Sequence, residues 1–243
     1  MYTLLKKEIS GFFSSLTGYV VIIVFLVING LFMWVFPGAN NVLDSGYASL
    51  ETLFTIAPWV FLFLAPAVTM RMFADEKKSG TIELLFTRPL SDFQIILAKY
   101  LAGLVLVLFS ILPTLIYFFS VYHLGKPVGN IDTGGTWGSF IGLFFLAAIY
   151  VAIGVLSSSF TENQIVAFII GMLLCFIVYI GFDYLSELIV FKSIDGFIIN
   201  LGINEHYKSM SRGVVDSRDM IYFLSAIAFF ILITKTILQS RKW

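Results

Sequence analysis

Few residues of this chain have the type and spacing for chemistry. The single cysteine, Cys175, sits inside an apolar run, which excludes a disulfide framework or a cysteine metal site within one chain. The two histidines, His123 and His206, have no His, Cys or Glu at ligand spacing except Glu205, and both read as surface residues. Serine-hydrolase elbows, HExxH and serine–histidine pairs of the rhomboid kind are missing. A phosphate-cradling loop needs GxxxxGK[ST], whose backbone N–H groups wrap the phosphates while the hydroxyl binds magnesium. The one Gly-Lys pair, Gly125-Lys126, is followed by Pro127, and Ser120 stands where the first glycine belongs. No catalytic residue, metal or cofactor is therefore expected, and a nucleotide would have to be bound by a partner.

What does cluster is charge. The chain holds 15 basic and 15 acidic residues. Nine of them, Arg71, Asp75, Glu76, Lys77, Lys78, Glu83, Arg88, Asp92 and Lys99, fall between Met70 and Tyr100. Such a connector between two apolar runs is where a membrane protein can be gripped from the water. Pro89 ends a helix that begins near Ser79-Gly80-Thr81. Ile82, Leu85 and Phe86, at i, i+3 and i+4, give that helix one apolar face beside Glu83, although it is too short to be stable alone. Ser91 followed by Gln94 is a capping box for the next helix. The reading is a short helix parallel to the membrane, joined rigidly to its two neighbours, whose apolar face a partner groove would bury.

The elements that position this connector are membrane spans. Hydrophobic residues make up 59%, aromatic residues 17% and charged residues 12%, with a mean hydropathy of +0.95, far from a soluble domain at roughly 45–50% apolar. Runs of about 20 apolar residues cross the hydrocarbon core, which places spans at 18–36, 52–70, 100–122, 138–158, 163–182 and 220–238. Pro58 and Pro66 interrupt the second and Pro113 the third, and Lys235 in the sixth can snorkel. Residues 71–99 form the charged connector. Residues 183–219 alternate the patches Leu188–Phe191 and Phe197–Ile199 with charges, as short interfacial or re-entrant helices do. The loops around Asp44 and Gly129–Gly135 read as plain turns. In residues 1–17, Tyr2, Leu5, Ile9, Phe12, Phe13 and Leu16 share one helical stripe, with Lys6, Lys7 and Glu8 off it and Leu4 as the exception, the pattern of an interfacial helix. The fold class expected is an all-α polytopic membrane protein forming one domain, 1–243.

Several alternatives fall away. The uncharged stretch from Ile9 to Leu43 is too long for a cleavable signal, and neither Tyr2 nor the Arg241-Lys242-Trp243 end suits lipidation. No single-sign charge run suggests nucleic acid. No Asp, Glu, His, Arg or Lys lies near a span midplane, which argues against an ion-coupled carrier, with carbonyl-lined sodium sites left open. Gly138/Gly142 and Ala148/Ala152 are small-residue seams that would admit another helix, such as one from a second six-span chain.

An even number of spans puts both termini on one side. That side carries Lys6, Lys7, Arg71, Lys77, Lys78, Arg88, Lys99, Lys235, Arg241 and Lys242; the other has only Lys126, Lys192, Lys208, Arg212 and Arg218. The positive-inside rule makes the richer side cytoplasmic.

The pattern Arg71-x-Phe73-Ala74-x-Glu76-Lys77-x-x-Gly80-Thr81-x-Glu83-Leu84-Leu85-x-Thr87-x-Pro89, with Lys99 beyond it, resembles the signature of the ABC-2 type transporter permeases. The order of an amphipathic helix, six spans and a long loop before the last is also similar to that family. Tyr207 to Asp216, with Arg218-Asp219, resembles its gliding-motility-associated permease subunits. The resemblance implies a bacterial inner-membrane exporter subunit, paired with a second six-span permease subunit and two ATP-binding cassette ATPase subunits. It makes 71–99 the ATPase-docking coupling segment, with Glu76, Gly80, Thr81, Ile82, Glu83, Leu85, Phe86 and Pro89 as docking residues. A membrane scaffold that binds soluble partners and moves nothing is the competing class. The charge asymmetry predicts opposite accessibility for single cysteines placed at Lys78 and Lys208. Labelling of both from outside intact cells would overturn the topology.

Overall fold

Apolar runs of this length leave the backbone no water to bond, so each closes its hydrogen bonds within itself as helix. The computed structural model describes residues 1–87, 89–188, 195–214 and 216–240. Its helices are α1 (Tyr2–Ser14), α2 (Leu16–Gly30), α3 (Val42–Ser45), α4 (Glu51–Thr69), α5 (Arg71–Lys78), α6 (Thr81–Phe86) and α7 (Asp92–Ile111). They continue with α8 (Leu115–Leu124), α9 (Thr133–Phe160), α10 (Gln164–Phe176), α11 (Phe182–Glu187), α12 (Asp195–Ile199), α13 (Ile203–Ser211) and α14 (Ser217–Ser240). No strand occurs among the described residues. Six rods are long and apolar enough to cross a membrane: Leu16–Val35, Glu51–Lys78, Asp92–Leu124, Thr133–Phe160, Gln164–Glu187 and Ser217–Ser240. The polytopic all-α fold expected from composition is the one observed.

The rods run further than the apolar runs do. Arg71–Lys78 prolongs the second and Asp92–Tyr100 opens the third, so the loop between them shrinks to residues 79–91. The Ser91/Gln94 capping box is formed: the Gln94 N–H donates to Ser91 Oγ at 3.3 Å and the Ser91 N–H to Gln94 Oε1 at 3.2 Å. Ser157, Ser158 and Ser159, at the end of the span expected over 138–158, are buried in the last turns of α9.

The fourth span is the hub. Of its most apolar stretch 83% is buried, against 28% for the first span and 22% for the fifth and sixth. It packs against α4, α14, α10 and α13, and its many small residues let those backbones come close. Gly138 and Gly142, expected to serve a second chain, are used within this one. A Cβ on Gly138 would collide with the Met210 carbonyl oxygen of α13, and one on Gly142 would sit 3.1 Å from the Tyr207 ring. Ala148 and Ala152 are likewise buried in the core.

Proline leaves an orphan carbonyl four residues back, and in a bilayer that group must be satisfied by protein. Pro58 frees the Phe54 carbonyl, and the Tyr207 hydroxyl of α13 donates to it at 2.8 Å. Burial pushes the Tyr207 pKa well above its ordinary value, so this hydroxyl stays a donor. The segment before the last span is thereby tied to the second span.

Two sequence expectations change here. His206 is not a loose surface residue: its side chain is 16% exposed, Nδ1 lies 2.7 Å from Asp219 Oδ1 and Nε2 lies 2.9 Å from the Asn200 carbonyl. Its ring stacks on Tyr222 at 3.8 Å, so it fastens α13 to α14. The stripe of α1 read for an interfacial helix is also divided, part of it facing the protein and part of it exposed. Leu4, the exception, is buried with Leu5 and Phe12 against the core, and α1 packs along α7, leaving Tyr2 and Leu16 exposed. His123 is exposed as expected. The short helices expected within 183–219 appear as α12 and α13, while α11 continues the fifth rod to Glu187; residues 189–191 of one apolar patch, the Phe197 side chain, Arg88, Val215 and 241–243 lie outside the described residues.

Gly138→Ala should force α13 off the hub and cost about 1–3 kcal/mol, read as a lower thermal midpoint in detergent. Gly11→Ala, where a Cβ meets nothing within 4 Å, should leave the midpoint unchanged or raised.

Candidate functional site

Three charges far apart in sequence meet at the end of the bundle that bears the connector. Lys99, in the third turn of α7, is 1% exposed. Its Nζ donates to Glu76 Oε1 of α5 at 2.9 Å and to Glu8 Oε1 of α1 at 3.1 Å. Lys7 lies 4.0 Å from both carboxylates, which makes the cluster neutral in sum. The Phe73 ring lies 5.2 Å from the Lys99 nitrogen. A buried lysine charge is costly unless it is paired and hydrogen-bonded; here two carboxylates from two other elements do both. Glu76 Oε2 is buried with no partner among the described residues.

A second joint lies beside it. The first N–H groups of a helix are orphans, and Met70 offers no side-chain cap to α5. Ser158, at the end of the fourth span, supplies it from a distance. Its Oγ accepts from the Phe73 and Ala74 N–H groups at 2.8 and 3.1 Å and donates to the Met70 carbonyl at 3.0 Å. Lys77 Nζ donates to the Ser159 carbonyl, and Gln164 Nε2 to Asp75 Oδ1. The second rod is thus locked to the fourth and fifth at this end.

From α5 the chain turns through Gly80 at φ +69°, a conformation that glycine adopts without strain. The turn is fastened by Ser79 Oγ to the Asp75 carbonyl at 2.7 Å and by a 2.8 Å contact between the Ser79 and Thr81 hydroxyls. It delivers α6.

The docking residues read from the sequence separate into groups. Glu76 is inside the Lys99 joint, and Gly80 is the turn. Ile82 and Leu85 are half-buried against the chain's own core, because a six-residue helix can be held only by burying its apolar side on something already folded. Thr81, Glu83 and Pro89 are exposed. Phe86 ends α6, and its side chain lies outside the described residues. Among the described side chains of α6, the large apolar one left exposed is Leu84, 67% exposed beside Glu83. Sequence reasoning passed over Leu84, Glu8, Phe73 and Ser158. Only the serine run at the end of a span and the lone glutamate in α1 hinted at two of them.

The family model for ABC-2 family transporter proteins matches residues 36–202. No curated protein matches the chain. The matched stretch contains the connector, Lys99 and Ser158, and leaves Glu8 outside.

Lys99→Ala should destabilise the protein by about 3–5 kcal/mol, because it strands two buried carboxylates. Adding Glu8→Gln and Glu76→Gln should restore part of the loss. Equal thermal midpoints for the single and triple variants would show that the charges do not matter to one another.

Proposed function

This chain belongs to the ABC-2 family of transporter proteins, and on that premise we propose that it is the membrane subunit of an exporter driven by separate ATP-binding cassette subunits docked on residues 79–91. It is a multi-span membrane protein with the role of a transport permease. In this reading both termini and the connector face the cytoplasm of a bacterium, from the asymmetry of basic residues. The chain hydrolyses nothing itself and works with a second six-span subunit, identical or related. The likeness around Tyr207 to Asp219 favours a role in gliding motility or secretion.

The observation that carries the proposal is the mounting of α6. Its outer edge, Glu83 and Leu84, is exposed, while its inner side is fixed to the core and its root is tied through Glu76, Lys77 and the Ser158 cap to α1 and to the third and fourth spans. A load on the exposed edge has no soft element in which to dissipate before it reaches three spans. A passive turn would need none of these ties.

The test is capture of a co-expressed cassette ATPase by the purified chain. Leu84→Ala should weaken capture roughly ten- to a hundredfold, since burying a leucine contributes about 1.5–3 kcal/mol. Glu83→Lys should give a defect that shrinks as salt is raised. Both residues are exposed, so membrane levels should stay normal. Unchanged capture in both variants would leave the connector as a turn and favour the scaffold.

A further inference from the structure

Between the second, fourth and fifth spans and α13, at the end of the bundle opposite the Lys99 joint, lies a cavity of about 790 Å³, within the range of small-molecule sites. Among the described residues four carboxylates line it, Glu51, Asp132, Asp183 and Glu187, against one cation, Lys208. Two of the four have structural work. Asp132 caps α9 by accepting from the Gly135 N–H at 3.0 Å, and Asp183 accepts from Asn204 Nδ2 at 2.6 Å. Glu51 and Glu187 are exposed and make no ion pair with any described residue. The walls are aromatic: Trp59 meets Tyr179 edge-on at 5.7 Å, with Tyr184 and Phe54 beside them. Carboxylates over aromatic faces, in a concave site with an excess of negative charge, form an environment for an organic ammonium group.

Trp59 also lines a second cavity of about 510 Å³, which is wholly apolar and runs between the first and second spans along Val24, Ile28, Phe32, Val60 and Phe63. From Val24 to Phe32 the groove follows roughly 12 Å of helix, near the length of a ten-carbon chain. Trp59 therefore borders both an acidic, aromatic chamber and a hydrocarbon slot. We propose that the two cavities form one binding site for a single-chain cationic amphiphile, its ammonium head among Glu51, Glu187 and the aromatic wall and its alkyl tail in the groove, with Trp59 at the junction. An anionic amphiphile of equal length meets four carboxylates and is rejected.

The site belongs to this chain alone, so its test needs no ATPase and does not depend on the transport reading. The full chain is placed in phosphatidylcholine nanodiscs and titrated with bromododecyltrimethylammonium, whose bromine quenches a nearby indole. The Trp59 signal is the difference between wild type and Trp59→Phe. The site predicts saturable quenching of that signal and none that saturates with bromododecyl sulfate. Glu51→Gln with Glu187→Gln, both at exposed positions, should raise the half-saturating concentration roughly tenfold at low salt while the thermal midpoint holds. Tetramethylammonium, which lacks the tail, should compete only weakly. Quenching that never saturates, that is equal for the two head groups, or that ignores the double substitution would reduce the effect to partition into lipid and overturn the proposal. Absence of Trp59 quenching would overturn it too, and would point to a second copy of the chain covering the groove.

Discussion

A lysine charge that is 1% exposed at the end of a span cannot stand alone, and much of this structure follows from how it is answered. Glu76 and Glu8 come from α5 and α1, so neutralising one side chain fixes the position of two other helices. The amphipathic α1, which could have floated on the membrane surface, is held along the third span. The connector is held as well, because Glu76 lies only one turn before Gly80. Lys99 thus couples three segments of the chain that share no local sequence.

The same economy governs the backbone. Hydrocarbon offers no partner to an orphan N–H or carbonyl, and two of the groups left over, at a helix start and at a proline, are satisfied by side chains of other helices. Ser158 caps α5 at one end of the bundle, and Tyr207 answers the carbonyl freed by Pro58 at the other. Both bonds end on the second span, while the fourth span supplies Ser158 at one end and seats α13 on Gly138 at the other. Two packed rods therefore link the connector to the segment before the last span.

The segment before the last span shows how a local motif and its role differ. Tyr207, Met210 and Asp219, which lie in the stretch similar to gliding-motility-associated permease subunits, bond or pack onto Phe54, Gly138 and His206. They close this end of the bundle over the second and fourth spans and leave the acidic chamber open beside them.

Hydropathy determined the spans by itself, because about 20 apolar residues in a row have one stable state in a bilayer. The capping box at Ser91 and the end of the connector helix before Pro89 were legible for the same reason: each depends on residues within one turn. The family signature of the connector was legible as well. What the sequence could not rank was which polar residue meets which. Glu8 and Lys99 are 91 positions apart, and nothing in either neighbourhood says that they touch. Gly138 and Gly142 announce a close approach without naming the helix that makes it, and the fold assigned them to α13. Of the face read on α6 for a partner groove, Ile82 and Leu85 are half-buried on the chain's own core, and Leu84 beside them is exposed. Local pattern fixes which side of a helix seeks cover. Only the packing of the other helices decides what covers it, since burial is a property of neighbours that the sequence does not order.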